Sequence, residues 1–329
     1  MKNFFFIVGM VVCTMAYAET NGDAQKALKN GAIGRYVYTI VDDAGLAVSN
    51  ASAHVWFKSY GRPQDCADWV VETNSNGMFE VEHRFNEKFS VGIDKDGYYH
   101  AHDEINYLTL AELPVKDGKW QPFGQRRTAV LKRILKPHDM LGPSRTLQRK
   151  ISVYDRWLGF DLEKADFLPP IGDGRDTDML IRFRKEGQMP YEWSIGMDVT
   201  FTNHPYAGAY RLKKDRFSDM KSPYYVDTNA TYLTTFSFRF SRTRGARPVT
   251  EKLDADELLV FRTRTKIDSE GRLLSARYGK IYGPWHFEDA GGMRISKVFM
   301  NGVDDDINLE DEETARRTRR AYRKNGIHK

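Results

Sequence analysis

The chain has 329 residues, with 50 Lys and Arg against 45 Asp and Glu, a formal net charge of +5. That near balance excludes a dedicated nucleic-acid binder, whose basic charge is larger and clustered. With 41% hydrophobic and 13% aromatic residues the chain folds rather than staying disordered, and its length suits two domains, each with its own core.

The first eighteen residues read as an export signal. Lys2 supplies the positive start, Phe4 to Val12 the apolar core, and Ala16-Tyr17-Ala18 the small-x-small cleavage site. The apolar run is too short to span a bilayer, and no second stretch is long enough. A periplasmic or extracellular protein is therefore expected, with mature chain beginning at Glu19. Cleavage removes Cys13 and leaves Cys66 alone, so no internal disulfide is available. No basic or histidine cluster flanks Cys66, and it is expected to be a passive thiol.

From residue 30 to 138 short alternating strands and turns recur about every ten residues, the spacing of a β-sandwich. Asp42-Asp43-Ala44-Gly45 and Asn74-Ser75-Asn76-Gly77 are turns that use glycine at positive φ. Phe79 and Val81 are expected to point into the core. Pro137, Gly142 and Pro143 mark a linker.

Residues 150–303 are also strand-dominated and form a second β-rich domain, of sandwich or jelly-roll type. Apolar residues fall at period two in Ile195, Met197, Val199 and Phe201, in Tyr232, Phe236, Phe238 and Phe240, and in Leu259, Phe261, Thr263 and Ile267. The fold class expected overall is all-β. Residues 304–329 form a charged tail. Seven acidic residues lie between Asp304 and Glu313 and seven Lys or Arg between Arg316 and Lys329, too polar to bury a core alone. Helix and disorder are both open to it.

The first domain resembles the carboxypeptidase regulatory-like family, a transthyretin-like β-sandwich. The resemblance is carried by Val41-Asp42-Asp43-Ala44-Gly45-Leu46-Ala47-Val48, by Thr73, Gly77, Phe79 and Val81, and by Val91, Ile93, Gly97 and Tyr98. Asn74 departs from it, standing where the family usually has Asp. The resemblance implies a module without catalytic residues of its own, attached to a peptidase, receptor, adhesin or secreted protein. A zinc carboxypeptidase would need a His-x-x-Glu pair, and here His100 and His286 are followed by Asp103 and Asp289 instead. The second domain looks like the partner domain of uncharacterised secreted bacterial proteins, on Gly159 to Glu163, Asp166, Tyr278 to Ile281 and Asn308 to Glu310.

Chemistry-bearing residues are few. The acidic loop from Asp161 to Asp178 includes Asp173, Asp176 and Asp178, the oxygen donors a Ca²⁺ ion would take, although the spacing is not that of an EF-hand. No other cofactor is expected. His100 and His102, two apart on a strand, share a face, but nothing in the sequence nominates a third ligand. His286 is the best lone general-base residue. There is no nucleophile elbow and no phosphate-binding glycine loop. Trp193, Tyr206, Tyr210, Tyr224, Tyr225 and Trp285 lie in or beside loops, where rings stack on sugars or plug a core.

Period two also sets Arg182, Arg184, Arg239, Arg262 and Arg264 opposite the apolar faces of their strands. If these strands share a sheet, the exposed face is an arginine plate suited to an anionic glycan or cell-envelope polymer. The expected function is that of an exported, non-catalytic binding or structural protein. The alternative is an enzyme acting on extracellular polysaccharide or peptide through loops of the second domain.

Overall fold

In the computed structural model the described residues build four β-sheets. The described residues are 22–324, except 111–113, 144–145, 189–191, 203–204, 244, 248 and 289–291. The export signal read at residues 1–18 lies outside them. The chain divides into two compact units. One takes the described residues up to Ile134, with Phe217–Asp219 and the end of the chain from Thr318. The other takes Leu135–Arg216 and Met220–Arg317. The all-β class expected from the strand pattern is what the chain adopts.

The first unit opens with a short helix, α1, over residues 22–30. Nine strands follow. They are β1 (Ala32–Asp42), β2 (Ser52–Lys58), β3 (Ala67–Glu72), β4 (Met78–Phe85), β5 (Lys88–Asp94) and β6 (Ala101–Asn106), then β7 (Val115–Lys116), β8 (Lys119–Trp120) and β9 (Gln125–Leu131). Strand β1 alternates buried and half-buried residues without a break, as a strand with one face on a core must. It pairs antiparallel with β4 and parallel with β8 and β9, while β3, β2, β5 and β6 form a second, antiparallel sheet. The two sheets enclose one cluster that includes Tyr36, Tyr38, Phe57, Phe79, Phe89 and Trp120. Phe79 and Val81 are buried in it. Within the core the Tyr36 and Phe89 rings stack at 3.8 Å. Gly77 closes the Asn74 turn at φ +71, where a Cβ would meet the Ile40 carbonyl oxygen at 2.4 Å, so only glycine fits.

The described residues of the second unit form eleven strands. Strands β10 (Leu147–Lys150), β15 (Gly208–Lys213), β18 (Glu257–Ile267), β19 (Leu273–Glu288) and β20 (Gly292–Met300) form a five-stranded sheet in the order β10-β20-β19-β18-β15. The six-stranded sheet runs β12-β11-β13-β14-β16-β17, from β11 (Trp157–Asp161), β12 (Asp166–Phe167), β13 (Met179–Gln188), β14 (Glu192–Phe201), β16 (Thr235–Arg242) and β17 (Val249–Glu251). Their facing sides share one core, with Phe183, Ile195 and Phe238 from one sheet and Leu259, Ile281 and Trp285 from the other. The far side of the five-stranded sheet is apolar too, and there Leu258, Val260, Tyr278, Tyr282 and Phe299 cluster with Val226 and Leu309.

Two expected alternations fail locally. Tyr232 precedes β16 and packs edge-on against Tyr210 at 5.2 Å. In β18 the pairing to β19 shifts register between Thr263 and Lys266, and Arg264 sits at φ +48. A second shift between Lys266 and Ile267 restores the register; such irregularities break the alternation locally, and Ile267, at the strand's end, is exposed rather than in the core.

The charged end of the chain is ordered through its described part. Leu309, Glu310 and Asp311 are buried, and Glu312–Lys324 form helix α2. Lys280, fully buried, donates to the Leu309 carbonyl at 2.6 Å, to Asp311 Oδ2 at 2.8 Å and to Ser222 Oγ at 3.3 Å. Burial opposes charging of the Lys280 amine, yet the electrostatic and hydrogen-bonding influence of Tyr282 and Asp311 holds it above the ordinary lysine value. No described helix is long and apolar enough to cross a membrane.

Candidate functional site: the outer face of the six-stranded sheet

Met179, Ile181 and Phe183 of β13 are fully buried, which turns Arg182 and Arg184 to the opposite face. Strand pairing lines these up in rows across the sheet. Trp157, Arg182, Asp198 and Ser237 stand abreast on β11, β13, β14 and β16. One step along, Arg184, Gly196, Arg239 and Glu251 do the same on β13, β14, β16 and β17.

Asp198 organises the first row. It accepts from Arg182 at 3.0 Å, from Arg184 at 2.9 Å and from Ser237 Oγ at 3.0 Å. Burial raises its pKa, but Arg182, Ser237 and Arg184 together outweigh that and hold the carboxyl below its usual range. Trp157 is 43% exposed, and the Arg182 guanidinium lies over its ring, 4.6 Å from the centroid, a cation–π contact.

Gly196 leaves a gap in the second row. The resulting notch has a volume of about 210 Å³ and is lined by Arg184, Glu186, Ser194, Ser237, Arg239 and Glu251. Arg239 Nε donates to Ser194 Oγ at 3.1 Å. Arg184 leans across Gly196, within 3.4 Å of where a Cβ would be, so a larger residue there would displace the guanidinium. The notch therefore offers guanidinium and hydroxyl donors with carboxylate acceptors, and an exposed indole stands in the neighbouring row.

The other two arginines of the expected plate are elsewhere. Arg262 and Arg264 belong to β18, in the five-stranded sheet, so the five do not share one face. Arg262 donates to the Tyr206 carbonyl at 2.7 Å and covers the Tyr232 ring at 4.1 Å. Arg264 turns at the bulge into the acidic loop. There it reaches Asp178 Oδ1 at 3.0 Å, Glu163 Oε2 at 2.7 Å, and Asp161 and Asp176 each at 3.3 Å.

That geometry corrects the Ca²⁺ expectation. A guanidinium already occupies the centre of the carboxylates. Asp178 is committed to Leu162 N at 2.9 Å, Thr263 Oγ1 at 3.1 Å and Arg264. The Asp173 amide donates to Asp166 Oδ2 at 3.2 Å, and the Asp176 and Asp178 carboxylates meet on Arg264 rather than around an open position. Burial raises the Asp178 pKa despite Arg264. It also pulls Asp161 upward, but amides from Arg175, Asp176, Lys164 and Glu163 leave that carboxyl below its usual value. Among the described residues no group of three or more His, Cys, Asp or Glu side chains is disposed to hold a metal.

His100 and His102 do share a side, and sequence reasoning missed that His54 shares it too. His54, Gly92 and His102 stand abreast on β2, β5 and β6. His100 Nδ1 lies 2.8 Å from Asp94 Oδ1, with its ring over Gly92. The only early sign of this was period two in β2, which sets His54 with Trp56. Cys66 is exposed, and its Sγ accepts from Ser59 N at 3.3 Å. His286 sits half-buried on β19 opposite Arg294. Trp193 and Trp285 are buried core rings, whereas Tyr225 is exposed.

No family model and no curated protein matches the chain. Solved structures similar to it include 3-chlorocatechol 1,2-dioxygenase from Rhodococcus opacus, at 11% identity and TM-score 0.26 over 32% of this chain and 61% of that one. Chlorocatechol 1,2-dioxygenase from Pseudomonas putida follows at 14% identity and TM-score 0.25, over 31% and 61%. Hydroxyquinol 1,2-dioxygenase from Pseudomonas putida shows 12% identity and TM-score 0.24, over 32% and 58%. The chain spans about three fifths of the length of these structures. Likeness at this level assigns no activity. These neighbours are enzymes, so the comparisons lend no support to the expectation of a non-catalytic binding or structural protein. The same neighbours, all dioxygenases, lend no support to the expectation that a cofactor is absent.

Proposed function

We propose that the outer face of the six-stranded sheet recognises a saccharide polymer bearing carboxylate or sulfate groups, outside the cytoplasm. The observation that carries this is the notch over Gly196, set between Arg184 and Arg239, with the exposed Trp157 in the adjacent row. Guanidinium groups bind carboxylate and sulfate through paired N–H donors. An exposed indole stacks on the apolar face of a sugar ring. Ser194, Ser237, Glu186 and Glu251 supply donors and acceptors for hydroxyls. The face carries as many carboxylates as arginines, counting Asp198, Glu186 and Glu251, so recognition rests on placed groups rather than on net charge. The export signal at Ala16-Tyr17-Ala18 supports the compartment.

The test is retention on immobilised heparin and polygalacturonate. The expected outcome is binding at low salt that fades as the Debye length shrinks from about 30 Å at 0.01 M to about 8 Å at 0.15 M. Arg184→Glu with Arg239→Glu should abolish it while the thermal transition stays cooperative. Retention that survives the double reversal, or none at low salt, overturns the proposal.

A further inference from the structure

A second concave site lies in the first unit, on the outer face of the sheet that carries β2. It is a cleft of about 380 Å³ lined by Trp56, Lys58, Cys66, Asp68, Lys88 and Ser90. That volume lies within the range of small-molecule sites. Trp56 forms its floor, flanked across the strands by Asp68 on β3 and Ser90 on β5.

Three features give the cleft a chemical preference. The indole is held in place: the His54 ring lies against it, tilted by 35° with centroids 3.9 Å apart, and its Cζ3 edge lies 3.4 Å from where a Gly92 Cβ would stand. The floor is thus a preorganised flat surface, which lowers the ordering cost of binding. Next, Lys58 and Lys88 face each other directly across β2 and β5, where like charges oppose each other at a cost in stability. Each is offset by one carboxylate, Lys58 by Glu87 at 2.8 Å and Lys88 by Glu104 at 2.9 Å. An ammonium has three donors, so an anion can still bridge the pair. Last, the polar groups are unevenly spread. Lys58 and Lys88 lie together two residues along from Trp56 and Ser90, and the side towards β3 is lined by Cys66, Ala67 and Asp68. A sugar ring, with hydroxyls around its whole rim, is poorly matched there.

From this geometry we infer that the cleft binds a planar aromatic anion, its ring stacked on Trp56 and its carboxylate or sulfonate between Lys58 and Lys88. The site is in a different unit from the saccharide face and is independent of it.

The probe is 2-naphthoate, titrated calorimetrically into the full chain, with 2-naphthol and galacturonate as comparators. Saturable binding at one site is expected, with the uncharged naphthol and the non-aromatic galacturonate each bound at least about tenfold more weakly. Tenfold corresponds to about 1.4 kcal/mol, the scale of one ring contact or one charge-assisted hydrogen bond. Trp56→Ala should weaken naphthoate at least about tenfold. Lys88→Gln, which strands only the partly exposed Glu104, should erase the preference for naphthoate over naphthol. One readout needs no substitution in the cleft. In a Cys13→Ser chain, bound naphthoate should slow the reaction of Cys66 with N-ethylmaleimide several-fold. No saturable binding, equal binding of galacturonate, or an unprotected Cys66 overturns the assignment.

Discussion

Arg184 and Arg264 look alike in the sequence, each set among apolar residues at period two. Arg184 sits on a regular strand and meets solvent, one shared carboxylate and a notch over a glycine. Arg264 sits on a bulge at positive φ and meets four carboxylates, two of them buried. Period two decides which side of a strand a residue takes. It does not decide what lies there. One extra residue in β18 separates a surface guanidinium from one that substitutes for a cation.

That contrast is open to measurement. Arg264→Ala should cost about 3–5 kcal/mol in chemical denaturation, because it leaves the Asp178 and Asp161 charges buried and uncompensated. A loss below about 1 kcal/mol would place Arg264 with the surface arginines after all. Lys280→Met extends the test to a fully buried cation. Stranding Asp311 should cost about 3 kcal/mol or more by the same reasoning, read from the urea midpoint.

Acid should separate the carboxylates of the Arg264 cluster by sign. Asp161 is held below its ordinary value in the folded chain, so its contribution is complete above about pH 4 and is lost as pH falls through the folded value. Asp178 is raised, so its contribution runs the other way, present in acid and lost as pH climbs through its folded value. The urea midpoint should therefore fall below pH 4, and Asp161→Asn should make that fall shallower. An unchanged acid limb would remove Asp161 from the account. The smallest effect is expected at Arg184→Ala, within about 1 kcal/mol, as for an exposed ion pair.

Much of the fold was legible. The period-two runs at Ile195 to Phe201 and around Phe236 to Phe240 are strands with the expected inner faces, and Phe79 lies in the core. The shared side of His100 and His102 followed from spacing alone. The candidate site was legible in part. Arg182, Arg184 and Arg239 do share a face, but grouping Arg262 and Arg264 with them required knowing which strands pair. Pairing between strands far apart in sequence leaves no local mark. The bulge at Arg264 carries no glycine to announce it. His54 was passed over because it joins His102 only through the intervening Gly92, a neighbour that register supplies and composition does not.

The fastening of Lys280 changes what the charged end of the chain is for. Read as composition it looks detachable, yet Leu309 is buried in one cluster with Leu258, Val260, Tyr278 and Tyr282. A chain cut after Val303 would uncover that apolar face and a bare ammonium beneath it. The product expected from such a truncation is not a trimmed protein but one that self-associates, with the outer sheet of its own sandwich turned into a sticky surface.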